Sequence, residues 1–178
     1  MKDLTERLRA VKLVVADCDG TLTDAGIYYG PQGEELLRFS RRDGMGFDLL
    51  RQAGLRTGIM TRENSEIVRR RAEKLKIEEL HLGVLDKAVA LREVGERLGL
   101  KREEIAFIGD DLNDLPAFRS AGLRACPSDA TTEVKAVSDL VLTRPGGHGA
   151  FRELADQILQ AKGFRSVYLD TFANSEEE

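Results

Sequence analysis

Lys12-Leu13-Val14-Val15-Ala16-Asp17-Cys18-Asp19-Gly20-Thr21 reads as a buried strand that runs into two carboxylates and a turn. The run Lys12–Ala16 does not alternate polar with apolar residues, which suits a strand covered on both faces of a parallel sheet. Working outward, similar runs occur at Arg56–Met60 and at Ile105–Ile108, the second ending at Gly109. Shorter ones lie at Leu123–Ala125 and Leu140–Leu142. Between them, Gly46–Gln52, Asn64–Leu75, Lys87–Leu98, Asp114–Ser120 and Phe151–Gln160 carry apolar residues at helical spacing. The β-α alternation predicts an α/β fold, one doubly wound parallel-sheet domain over residues 1–162. A C-terminal tail occupies 163–178, and Asn174–Glu178 reads as solvated.

One stretch breaks the alternation. Residues 22–43 hold a Gly30-Pro31-Gln32-Gly33 turn signal between Ile27-Tyr28-Tyr29 and Leu36-Leu37-Arg38-Phe39, and predict a β-hairpin flap. It is far too small for a separate cap domain. A chain of 178 residues suits one sizeable core. Its net charge of -4 offers no basic surplus, so neither nucleic acid nor an anionic membrane surface is expected as a partner. No apolar run approaches the ~18 residues of a membrane span. The opening MKDLTERLRA lacks an apolar secretory segment, and Cys18 with Cys126 makes no disulfide framework. A cytoplasmic protein is therefore expected.

In open parallel sheets, ligands bind beyond the carboxyl ends of the strands. Asp17, Asp19 and Thr21 come after the first strand, Thr61 after the second, and Asp110, Asp111 and Asp114 after the third, while Lys87 opens a helix. Taken singly, each has a bland reading: a turn for Asp17–Thr21, a helix cap for Thr61, a solvated helix residue for Lys87. Together they deliver carboxylates, a hydroxyl and an ammonium to one crevice. Converging carboxylates repel one another unless a cation sits among them, and a set of oxygen ligands suits Mg²⁺. A carboxylate can attack phosphorus, and a second one two residues on can work as acid and base.

Asp17-x-Asp19-Gly20-Thr21, Thr61, Lys87 and Gly109-Asp110-Asp111-x-x-Asp114 resemble the four motifs of the haloacid dehalogenase superfamily of phosphatases. The resemblance implies that Asp17 is the nucleophile and Asp19 the general acid/base. It implies that Asp17, Asp110 and the Asp19 carbonyl hold Mg²⁺, and that Thr61 and Lys87 bind the phosphoryl group. Asp111 and Asp114 would support the metal water and Lys87. The short hairpin, Arg42-Asp43-Gly44 and the late Gly146-Gly147-His148-Gly149-Ala150 resemble the capless branch, which acts on 2-keto-3-deoxy sugar acid phosphates. That branch implies a homotetramer joined through the hairpins, with a neighbour at each active site.

Within the branch, Thr61-Arg62-Glu63 departs from the Thr-Gly-Arg typical of octulosonate 8-phosphate phosphatases. Glu63, Arg71 and Lys74 resemble instead the substrate-binding set of 2-keto-3-deoxynononate (KDN) 9-phosphate phosphatases. His148 stands where the octulosonate enzymes usually carry Arg. The nine-carbon acid phosphate is thus the expected substrate, with 3-deoxy-D-manno-octulosonate (KDO) 8-phosphate as the alternative. Glu63 and Lys74 are eleven positions apart, ~16 Å along a helix. Arg71 and Lys74 share a helix face and are expected to reach a neighbouring subunit's site, while Glu63 serves its own. Cys18 is expected to point away from the carboxylates as a small buried residue, and His81 to be structural. A phospho-acceptor receiver module, the non-enzymatic alternative, would place its acidic pair after the first strand and a lone acceptor Asp after the third, the reverse of the order here.

Overall fold

Strand β1 (Leu13–Ala16) lies at the centre of a six-stranded parallel sheet because it is buried on both faces. The computed structural model describes residues 3–166. On one side β1 pairs with β4 (Arg56–Met60), which pairs with β5 (Glu79–His81). On the other side it pairs with β6 (Ile105–Ile108), and then come β7 (Leu123–Cys126) and β8 (Leu140–Val141). Strand order therefore reverses across β1, and the switch-point crevice opens at its carboxyl end between β4 and β6.

The strands sort their side chains by the period of two. Val14, Ala16, Ile59, Ala106, Ile108, Leu123 and Ala125 face one core. That core is closed by α1 (Leu4–Ala10), α2 (Arg41–Gln52), α3 (Glu66–Leu75) and α7 (Ala150–Ala161). Leu13, Val15, Met60, Ile105, Phe107 and Cys126 face the other, closed by α4 (Lys87–Arg97), α5 (Leu115–Ser120) and α6 (Thr132–Val137). Helices α2 and α7 pack through stacked Phe47 and Phe151, with ring centroids 3.9 Å apart. Far from the crevice, Asp139 accepts from Arg124 Nη2 at 2.6 Å and Nε at 2.9 Å, and also from Arg7, tying α1 to the β7–β8 edge. Burial pushes the Asp139 carboxyl up, but these guanidinium bonds outweigh it and hold the group well below its ordinary range.

The doubly wound sheet and the absence of a cap domain agree with expectation. The hairpin forms from β2 (Thr23–Gly30) and β3 (Gly33–Phe39), apart from the main sheet. It ends sooner than residue 43, because Ser40 caps α2 by accepting from the Arg42 N–H. Helix α2 starts five residues before Gly46. Two glycines obscured its first turns: a Cβ on Gly44 would stand 2.9 Å from Arg71 Nη2, and one on Gly46 3.2 Å from the Arg152 Cα. Strand β5 and helices α1 and α6 lie outside the elements the sequence predicts; β5 is three residues, Glu-Leu-His. Of the tail expected at 163–178, residues 167 onward lie outside the described residues. Among the described residues no helix is long and apolar enough to cross a membrane.

Candidate active site

The end of β1 delivers Asp17, 4% exposed, to the crevice, and its N–H continues the ladder to the Ile108 carbonyl at 2.9 Å. The chain then folds over the Cys18 carbonyl, which accepts from the N–H groups of Leu22 at 2.8 Å and Thr23 at 2.9 Å. Gly20 turns with φ +80°, and a Cβ there would stand 2.1 Å from Asp110 Oδ2. Only glycine lets the turn approach the carboxylate this closely. Thr21 donates its hydroxyl to Asp110 Oδ1 at 3.0 Å. Cys18 is buried in the core beneath, as expected.

Lys87 is 1% exposed. Its Nζ donates to Asp17 Oδ1 at 2.7 Å and to Asp114 Oδ1 at 2.6 Å. Asp86 caps α4 by accepting from Ala88 and Val89, which fixes Lys87 at the first helical position. Asp114 is fully buried in a 3-10 turn, Leu112–Asp114. Its Oδ2 accepts the Asp110 N–H at 2.9 Å, so both of its oxygens are engaged. A Cβ on Gly109 would stand 2.3 Å from that oxygen. Thr61 is buried at the end of β4, and its Oγ1 accepts the Glu63 N–H at 3.2 Å, leaving the hydroxyl proton for a ligand. Asp111 is exposed and caps the 3-10 turn through the Leu112 N–H at 2.7 Å.

These residues border an open cavity of about 530 Å³ lined by Asp17, Asp19, Thr61, Glu63, Asp110 and Asp111. Arg62, Asn113, Ala25 and Leu85 also line it. None of these four stands out in the sequence, although Arg62 and Asn113 lie inside the motifs above. Arg71 and Lys74 do not line it. Arg71 donates to the Ser40 carbonyl at 3.0 Å and lies 5.5 Å from the Phe39 ring centroid, in a separate small cavity beside Asp43. Lys74 is exposed on α3. Glu63 precedes α3 rather than lying on it, so the helical estimate of its separation from Lys74 does not apply. His148 is exposed, with Nδ1 2.8 Å from the Gly146 carbonyl. His81 contacts Glu79 at 3.2 Å, away from the crevice lining.

Ligand oxygens of Asp17, Asp110 and Asp114 lie within 4.8 Å of one another. Three carboxylates against the Lys87 ammonium leave a formal deficit of two positive charges, which fits a dication. The donors are all oxygens, which suits Mg²⁺. Asp114 is committed on both oxygens, so Asp17 and Asp110 are the carboxylates open to the ion. Burial, then Asp114, raises the Asp17 carboxyl well above its ordinary range despite Lys87. Burial and Asp114 likewise push Asp110 up to about 7, against the Thr21 hydrogen bond. Burial works against the Lys87 ammonium, but Asp17 and Asp114 outweigh it and raise its pKa, so it stays charged.

The metal-free fold therefore binds protons that an unfolded chain, with Asp near 3.9, releases. The stability contributed by Asp110 is present below the unfolded value and is lost as pH rises through about 7. A dication takes the place of those protons. The Mg²⁺-induced rise in Tm of EDTA-treated protein is expected to be larger near pH 8 than at about pH 5.5. A rise independent of pH would contradict the assignment.

A profile described as haloacid dehalogenase-like hydrolase matches residues 59–154. The 3-deoxy-D-manno-octulosonate 8-phosphate phosphatase of Haemophilus influenzae is 40% identical over 165 residues, covering 93% of this chain and 92% of the relative. A crystal structure of the Moraxella catarrhalis phosphatase of that name, in complex with magnesium, phosphate and KDO, is 37% identical with a TM-score of 0.90. It covers 94% of this chain and 97% of that one. A cobalt-bound Haemophilus influenzae structure is 41% identical with a TM-score of 0.86, covering 88% of this chain and 92% of that one. The chain belongs to the haloacid dehalogenase-like hydrolase family.

Proposed function

We propose that this chain is a Mg²⁺-dependent phosphomonoesterase acting on 3-deoxy-D-manno-octulosonate 8-phosphate. The observation that carries the reaction class is the buried Lys87 between Asp17 and Asp114, which holds Asp17 beside Asp110 where both line an open cavity. The eight-carbon substrate is supported by relatives of that name at 40% and 37% identity over most of their length. This moves the assignment away from the nine-carbon acid favoured by Glu63, Arg71 and Lys74. KDN 9-phosphate remains the second reading on one observation, Glu63 on the cavity wall.

Asp17 acts through Oδ2, since Oδ1 is occupied by Lys87. That oxygen bonds to phosphorus as the ester bond breaks, and Asp19 gives its proton to the departing primary alcohol. In the second step Asp19 takes a proton from water, water oxygen bonds to phosphorus, and the Asp17 carboxylate is released. Lys87 and Thr61 hold phosphoryl oxygens through both steps. Mg²⁺, when bound by Asp17, Asp110 and the Asp19 carbonyl, neutralises the charge that phosphoryl transfer gathers there. Arg62 also lines the cavity and brings a cation suited to the sugar carboxylate.

The homotetramer belongs to the same proposal. Ile27, Tyr28, Tyr29 and Leu36 are exposed on the hairpin, an apolar surface that a second copy would cover. In that assembly Arg71 and Lys74 would approach a neighbour's cavity.

Asp17→Asn is expected to retain its fold and lose at least about a thousandfold in kcat. Retention of a tenth of wild-type kcat would remove Asp17 as nucleophile. In side-by-side assays with Mg²⁺, kcat/KM is expected to favour the octulosonate 8-phosphate over the nononate 9-phosphate. A reversed ratio would restore the nine-carbon reading and make Glu63 its specificity residue.

A further inference from the structure

Asp43 takes no part in the steps above, yet it is a carboxylate only 3% exposed in the first turn of α2. Its Oδ2 accepts the N–H of Gly149 at 3.2 Å, and its Oδ1 accepts the N–H of Arg152 at 2.9 Å. Gly149 is the N-cap residue of α7, with φ +105° and no side chain of its own. Asp43 thus does from another helix, 106 residues away, what an N-cap side chain does locally.

The loop it anchors, Pro145–Gly149, rests on the catalytic turn. Gly147 donates its N–H to the Thr21 carbonyl at 2.9 Å. A Cβ on Gly146 would stand 1.8 Å from the Gly20 carbonyl oxygen, so backbone lies directly on backbone. Asp129 accepts the Gly146 N–H at 2.9 Å, and Arg38 donates to the Gly147 carbonyl at 3.0 Å. Three glycines in five residues give this loop a large backbone freedom to lose. It is held by side chains reaching in from outside it, and its own end is held by Asp43. The turn beneath carries Asp19 and the Thr21 hydroxyl that orients Asp110.

We propose that Asp43 is a positioning residue for the catalytic turn, acting through the Gly146–Gly149 loop. The proposal rests on the phosphomonoesterase reading and deepens it. It requires that loss of the Asp43 bonds alter turnover and metal binding, and not stability alone.

The test compares wild type, Asp43→Asn, Gly146→Ala and Asp139→Asn with p-nitrophenyl phosphate and Mg²⁺, well below each Tm. Asp43→Asn is expected to lose about ten- to a hundredfold in kcat with KM within about twofold, and to need more Mg²⁺ for half-maximal rate. Asp139→Asn, which breaks the remote arginine cluster, is expected to lower Tm without changing kcat. An Asp43→Asn protein that loses Tm but keeps kcat would overturn the proposal. Should that variant fail to fold, Gly146→Ala decides, because it lifts the loop from Gly20 with the Asp43 bonds intact. Full kcat in Gly146→Ala would overturn the proposal as well. If wild type itself turns over no phosphate ester, the phosphomonoesterase reading falls on its own. The Mg²⁺-induced rise in Tm then decides: a smaller rise in Asp43→Asn supports the positioning role, and an equal one overturns it.

Discussion

One ammonium group holds the crevice together. Lys87 lies buried between Asp17 and Asp114, 2.7 and 2.6 Å from their oxygens. Charges removed from water are costly, and a pair of this kind is retained only where geometry is close and the remaining lone pairs are used. Both conditions hold: Asp114 spends its second oxygen on the Asp110 N–H, and α4 is capped so that Lys87 points inward. Removing the lysine from such a buried set typically destabilises by about 3–5 kcal/mol, because bare carboxylates stay behind. The lysine therefore fixes β1, the β6 turn and α4 relative to one another, and by the same contacts orients Asp17.

The set is left short of positive charge. Three carboxylates face one lysine, and the consequence is visible in Asp110, pushed up to about 7 by burial and Asp114. Such an arrangement opposes folding at neutral pH and is relieved by a dication, so the feature that weakens the metal-free protein is the feature that selects its metal. The surrounding backbone repeats the theme of close approach. Gly20 lies against Asp110, Gly109 against Asp114, and Gly146 against Gly20, each at a distance that no Cβ permits.

Residues at the carboxyl ends of buried strands are the ones a sequence exposes most readily. Asp17, Thr61 and Asp110 were legible because apolar runs end at or just before them, and Asp114 because its spacing repeats a known motif. Lys87 was legible only as one of a set; a lone lysine at a helix start gives no sign that it will be buried. Strand β5 escaped because Glu79 and His81 carry an edge strand without an apolar run. The start of α2 escaped because Gly44 and Gly46, needed for packing on α3 and α7, break the helical pattern. Arg62 and Leu85 reach the cavity through the paths of their loops, Ala25 from the start of β2 and Asn113 from the 3-10 turn. Arg71 is legible only through the resemblance, and within this chain it packs on Phe39 and Ser40, outside the cavity that Asp17 lines.

On the proposed mechanism, Asp17, held by Lys87, supplies the oxygen that bonds to phosphorus. A crystal structure of the protein grown with Mg²⁺ and beryllium fluoride tests it most directly, since the fluoride complex bonds to a phosphorylatable carboxylate. The adduct is expected on Asp17 Oδ2, with Lys87 still bonded to Oδ1 and the ion between Asp17 and Asp110. An adduct on Asp110, Asp111 or Asp114 would contradict it, and would favour a receiver-like acceptor site on the third long strand.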